Sequence, residues 1–162
     1  MKNILTYLSL IIVFILQSTL CRYIEVLHTL PNLMLVFVVC YTMHAEPVKA
    51  TVLSVVAGLI MDVYSARYLG MNAVMMMYLG LCLSCVSADY IRTNFLTVII
   101  SVALSTFLYE SLYAFLIYFI FGKLPASVLF TVVSLESVYN VIAACGLIWL
   151  CRYLAYDEIR SF

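Results

Sequence analysis

Charge is almost excluded from the interior of this chain. Six apolar stretches run between short charged or turn-rich intervals, over Ile4–Leu20, Leu33–Met43, Val48–Tyr64, Leu69–Ala88, Phe95–Phe121 and Ser127–Cys151. A helix crosses ~30 Å of hydrocarbon with ~20 apolar residues, so these runs predict transmembrane helices. They are continuous rather than alternating, which argues against a β-barrel. Hydrophobic residues make up 67% of the 162, charged residues 10%, and the mean hydropathy is +1.16. A soluble domain this apolar would lack the polar surface that prevents aggregation. Composition therefore excludes a soluble globular enzyme, a disordered tail and a disulfide-rich secreted module. Lys plus Arg and Asp plus Glu number 8 each, so no cationic excess exists for nucleic-acid phosphates. The predicted fold class is an all-α membrane protein, with six transmembrane helices in one bundle and a single domain over residues 1–162.

The second stretch is short for a crossing. It either extends back through Ile24–Leu30 or crosses with little tilt against protein neighbours. The fifth is long and predicts a tilted helix. Links at Arg22–Pro31, His44–Pro47, Ser65–Tyr68, Asp89–Asn94 and Gly122–Ala126 carry Pro, Gly, Asn or charge, as turns require. With six spans, Lys2, Lys49, Arg92, Arg152 and Arg160 share one side, and Arg22, Arg67 and Lys123 the other. That bias puts both termini in the cytoplasm. Leu20 precedes Cys21 where a lipoprotein cleavage site needs a small residue, and no A-x-A site is present. The first span is therefore expected to stay uncleaved.

No motif points to a cofactor or metal. Cys82 and Cys85 form an isolated C-x-x-C, and a zinc site needs about four ligands. The cysteines inside spans are expected to pack as small hydrophobes. His28 and His44 lie at membrane edges, outside any H-E-x-x-H, and there is no G-x-S-x-G or phosphate-binding glycine loop. Tyrosines toward span ends fit an interfacial belt, and Met75, Met76 and Met77 fit adaptable apolar packing.

Three carboxylates, Asp62, Glu110 and Glu136, enter spans three, five and six. Such residues cost ~2.5–3.5 kcal/mol at a helix centre and normally face protein. Asp62 lies near its span end, where the cost is lower, and Glu110 lies near mid-run. Ser54, Gly58 and Asp62 form one stripe at helical spacing; Thr106, Glu110 and Ala114 form a second, beside Tyr109. Glu136, Asn140 and Ala144 form a third, flanked by Tyr139, and Asn72 opens span four. Small residues let helices approach closely in lipid, so these groups are expected to converge on an interhelical polar core or a partner contact. A hydrogen-bonded knot that fixes packing is preferred over a proton path or ligand site. The knot reading expects Asp62→Asn and Glu110→Gln to retain assembly, whereas a proton relay would lose activity.

Short motifs occur in a fixed order. Pro31-Asn32-Leu33 opens span two as P-[DN]-L, and Gly58-Leu59-Ile60-Met61-Asp62 reads as G-L-x-x-D. Gly70-Met71-Asn72-Ala73 reads as G-x-[NH]-A, followed by Tyr109-Glu110 and Tyr139-Asn140. In this order the chain resembles the MreD family of the bacterial rod-shape system, across essentially its whole length. Asn32 stands where many members have Asp, and Ser65-Ala66-Arg67 replaces a commoner Ser-Gly stretch.

The resemblance implies a non-enzymatic scaffold in the bacterial cytoplasmic membrane. It implies binding to the transmembrane helix of MreC, and a place with MreB, RodA and a class-B penicillin-binding protein in control of peptidoglycan synthesis. It also implies a fold similar to the substrate-binding subunits of energy-coupling-factor transporters. A vitamin-binding subunit of such a transporter is the alternative function. Those subunits commonly carry A-x-x-x-A on the first helix, and Ile4–Leu20 contains no Ala.

Overall fold

The computed structural model describes residues 2–19, 31–65, 69–90, 95–122 and 134–146, and these form six helices with no strand. They are α1 (Lys2–Thr19), α2 (Leu33–Thr42), α3 (Pro47–Ser65), α4 (Met71–Tyr90), α5 (Phe95–Phe121) and α6 (134–146). The boundaries of α1 to α5 follow the apolar runs closely, and α5 matches its run residue for residue. Cys21, His28, Cys151, the Ile24–Leu30 extension and Arg22, Arg67, Arg92, Lys123, Arg152 and Arg160 lie outside the described residues.

Six full crossings are not what the described helices provide. Pro47–Ser65 and Leu96–Leu116 are long and apolar enough to cross a membrane; Thr6–Thr19, Leu33–Thr42 and Met71–Ser87 are apolar but shorter. Helix α2 departs furthest. Its 10 residues rise only about 15 Å, half a hydrocarbon layer. It is the hub of the bundle instead, touching α1, α3, α4 and α5. Met34, Leu35, Val36, Val38 and Val39 are all buried, and they anchor a core completed by Leu10, Leu53, Met76 and Val102. An element apolar on every side is a buried one. Met75 and Met76 are buried in that core, so the methionine run is packing material.

The outward faces of the surrounding helices are greasy. Ile4, Ile11, Ile12 and Ile15 of α1 and Leu96, Ile100, Leu104, Phe107 and Phe115 of α5 are at least half exposed. Continuous apolar surface of this kind belongs against lipid or protein. Lipid tails are as apolar as leucine, so burial between helices gains close packing and hydrogen bonds rather than escape from water.

The tightest packing joins α3 to α4. A Cβ on Gly58 would overlap the backbone of Ala73, and one on Gly80 would overlap the Ser54 side chain. The two helices meet almost backbone to backbone through the expected Ser54–Gly58–Asp62 stripe. Gly70, with φ of 92°, makes the turn between them in a conformation that side chains resist.

Candidate functional site

Asp62 lies in the last turn of α3 and is completely buried. Its Oδ1 accepts the backbone N–H of Asn72 at 3.0 Å, and its Oδ2 accepts those of Gly70 and Ala73, both at 3.0 Å. The first N–H groups of a helix have no partner within it, and the helix dipole favours an anion there. Asp62 therefore caps α4 from α3 and closes the hairpin. Within the bundle Asp62 is the fully buried acid, whereas Glu110 and Glu136 are partly exposed. Burial against protein is a separate matter from depth in a span, and here it comes from the start of α4 lying over the carboxylate.

Asn72 carries the network onward. Its Oδ1 accepts the hydroxyl of Tyr109, a buried side chain of α5. Thr106, three residues earlier, shares that face of α5 and is also fully buried. Its hydroxyl donates to the Val102 carbonyl at 2.9 Å and accepts from Asn140 Nδ2 at 3.1 Å. Asn140 Oδ1 in turn accepts the backbone N–H of Asn32 at 2.7 Å. The face of α5 thus joins the α3–α4 hairpin to α6 and to the start of α2.

The start of α2 explains the Pro-Asn pair. Pro31 has no N–H to satisfy. Asn32 is the N-cap, with its Oδ1 accepting Leu35 N–H at 3.0 Å. The Met34 N–H donates to Gln17 Oε1 of α1 at 2.8 Å. A short helix can therefore begin inside the bundle, because α1, α6 and its own cap take its exposed donors. Gln17 was not singled out from the sequence; its one signal is being the only carboxamide within Ile4–Leu20. Gln17→Met, of similar length but without a strong acceptor, should orphan the Met34 N–H and cost about 1–3 kcal/mol. A lower thermal midpoint in mild detergent would read this; an unchanged midpoint would show that α2 starts without help from α1.

The second and third stripes face one another. Thr106 meets Asn140, and four residues on, Glu110 shares a side-chain hydrogen bond with Glu136. Four residues forward on α5 and four back on α6 is the register of an antiparallel pair. Ala114 and Ala144 are buried on the same stripes. Tyr139 is partly exposed beside buried Asn140. The structure thus brings Gly58, Asp62, Asn72, Asn32 and Asn140 into one buried framework and sets Glu110 and Glu136 at its edge.

The framework joins helices and offers little to a substrate. Its central acceptors are already engaged by backbone or side-chain donors, as buried polar groups require. Among the described residues no group of three or more His, Cys, Asp or Glu could hold a metal ion. Cys82 and Cys85 are exposed on α4, away from the framework. No curated protein and no solved structure matches the chain. The family model for rod shape-determining protein MreD, by contrast, matches residues 1–156, taking in all six helices and every residue of the polar framework. That match spans the order of motifs from Pro31 to Asn140, and with it the chain belongs to the MreD family, whose role is rod-shape determination.

Proposed function

We propose that this protein is a non-enzymatic scaffold of the bacterial elongation complex, holding the transmembrane helix of MreC and through it helping to regulate peptidoglycan synthesis. The observation that carries the reading is the family match along nearly the whole chain. The polar framework supports it, since its groups are spent on holding helices together. In this reading the helices form a multi-pass bundle in the cytoplasmic membrane, with α2 buried at its hub, both termini cytoplasmic and a fold like that of energy-coupling-factor substrate-binding subunits. MreB, RodA and a class-B penicillin-binding protein complete the assembly.

A seat for the partner helix is offered by the apolar groove between α1 and α3. Phe14, Leu59, Ile60, Val63 and Tyr64 line about 570 Å³ there. Phe14 and Tyr64 pack edge to face, with ring centroids 5.6 Å apart. Helix partners in lipid are selected by such packing rather than by hydrophobicity alone. Two measurements test the reading. Depleting the protein should widen and round the cells, and unchanged cell width would overturn the shape role. A photo-crosslinker at exposed Val63 should capture MreC, whereas one at exposed Ile100 of α5 should not; capture at Ile100 alone would move the interface.

A further inference from the structure

We propose that a groove between α1, the end of α2 and the start of α3 binds the phosphate head group of an anionic phospholipid. The groove encloses about 130 Å³ and is lined by Thr6, Tyr7, Tyr41, Lys49, Val52 and Leu53. Lys49 lies beside Glu46, with Nζ 2.9 Å from the carboxylate, and the two side chains are 55% and 74% exposed. Charges so open belong at the membrane–water boundary, since the hydrocarbon interior excludes them. An ammonium has three donors; Glu46 engages Lys49 from one side and leaves others for a phosphate oxygen. Tyr7 and Tyr41 add amphipathic rings of the kind found at head-group level.

The apolar part of the lining decides between ligands of the same charge. Val52 and Leu53 give the groove a greasy floor, and Val48 and Val52 are exposed along its α3 side. Inorganic phosphate has no use for that surface. A phospholipid does, because its glycerol and first methylenes would lie along it while the chains stay in the bilayer. Size excludes a whole drug-sized molecule, which takes ~300 Å³ or more, and leaves room for a head group. The groove stands apart from the polar framework and from the α1–α3 seat at Phe14 and Tyr64, so this inference does not depend on the identity of the protein partner.

Native mass spectrometry of the full chain in mild detergent tests it, with dioleoyl phosphatidylglycerol and dioleoyl phosphatidylcholine at equal concentration. Phosphatidylglycerol should be retained about fivefold over phosphatidylcholine, the contribution of one cation at a charged membrane surface. Lys49→Gln should bring the two lipids to parity, and Glu46→Gln should keep or raise the preference by freeing the ammonium. Tyr41→Phe reads the same site without touching the charge and should weaken retention of both lipids, which share the phosphodiester, while phosphatidylglycerol stays preferred. Equal retention by the unaltered chain, or a preference unmoved by Lys49→Gln, would overturn the proposal. Displacement of the lipid by equimolar inorganic phosphate would assign the groove to a free anion and overturn the lipid source.

Discussion

The substitution Asp62→Asn is expected to destabilise the protein by about 3 kcal/mol, although it preserves shape. The carboxylate accepts three backbone N–H groups, through Oδ1 from Asn72 and through Oδ2 from Gly70 and Ala73. An ionised carboxylate has acceptors only. A carboxamide must turn its NH₂ toward one side of this cradle, where it would point a donor at a donor. At least one buried N–H then loses its partner, at about 1–3 kcal/mol, and the surviving bonds lose their charge assistance. The sequence alone suggests that Asp62→Asn would retain assembly, because an amide can still hydrogen-bond; that logic suits a pair that exchanges donor and acceptor, whereas a cradle of three donors argues for a loss of stability. Glu136→Gln is the matched control. Its amide can donate to the Glu110 carboxyl and keep that rung, so its thermal midpoint should stay near that of the unaltered protein. Thermal unfolding of both variants in one detergent checks the contrast, and equal midpoints would show that the cap contributes nothing special.

What could be read from the sequence depended on whether one helix or two were needed to see it. Ser54, Gly58 and Asp62 were legible as a contact stripe because spacing of four marks one helix face. The stripes of Thr106 and Glu110 and of Glu136 and Asn140 were legible singly for the same reason. Their meeting was not, since the register between two helices is written in neither periodicity. The shortness of α2 was visible in its run of apolar residues. Its place at the hub was hidden, because a helix apolar on every side has no preferred face. Gln17 was passed over because it resembles ordinary interfacial polarity, and Tyr109 was legible only as a neighbour of the second stripe and as part of a motif. Only their partners, the Met34 N–H and the Asn72 side chain, give them a structural role. The family could be recognised through short motifs in order, and those motifs are now explained physically: Pro31-Asn32 starts a helix inside the bundle, and Gly58 with Asp62 clasps the opening turn of α4.

Gly58→Ala is expected to be at least as damaging, against the local preference of the helix. Alanine favours a helix interior over glycine by ~1 kcal/mol, so propensity alone predicts a gain. The packing opposes it. A methyl at position 58 would overlap the Cα of Ala73 and stand 2.6 Å from the Asn72 carbonyl oxygen and 2.7 Å from the Ala73 nitrogen. All three are backbone atoms, which cannot rotate away as a side chain can. Relief requires α3 and α4 to separate, and the segment pushed outward is the one whose N–H groups reach Asp62 at 3.0 Å. Overpacking costs about 1–3 kcal/mol, and stretching the cap adds to it, so a net loss of about 3 kcal/mol should outweigh the propensity gain. Gly80→Ala is the informative comparison, because its methyl would meet the Ser54 side chain rather than backbone. Pairing Gly80→Ala with Ser54→Gly should restore much of the lost stability, whereas no side-chain change can rescue Gly58→Ala. Since Gly58 and Asp62 hold the same segment, combining Gly58→Ala with Asp62→Asn should cost less than the sum of the two single losses. Strict additivity in a double-mutant cycle would mean that the close approach and the cap act separately, and that the hairpin is not the single clasp its geometry describes.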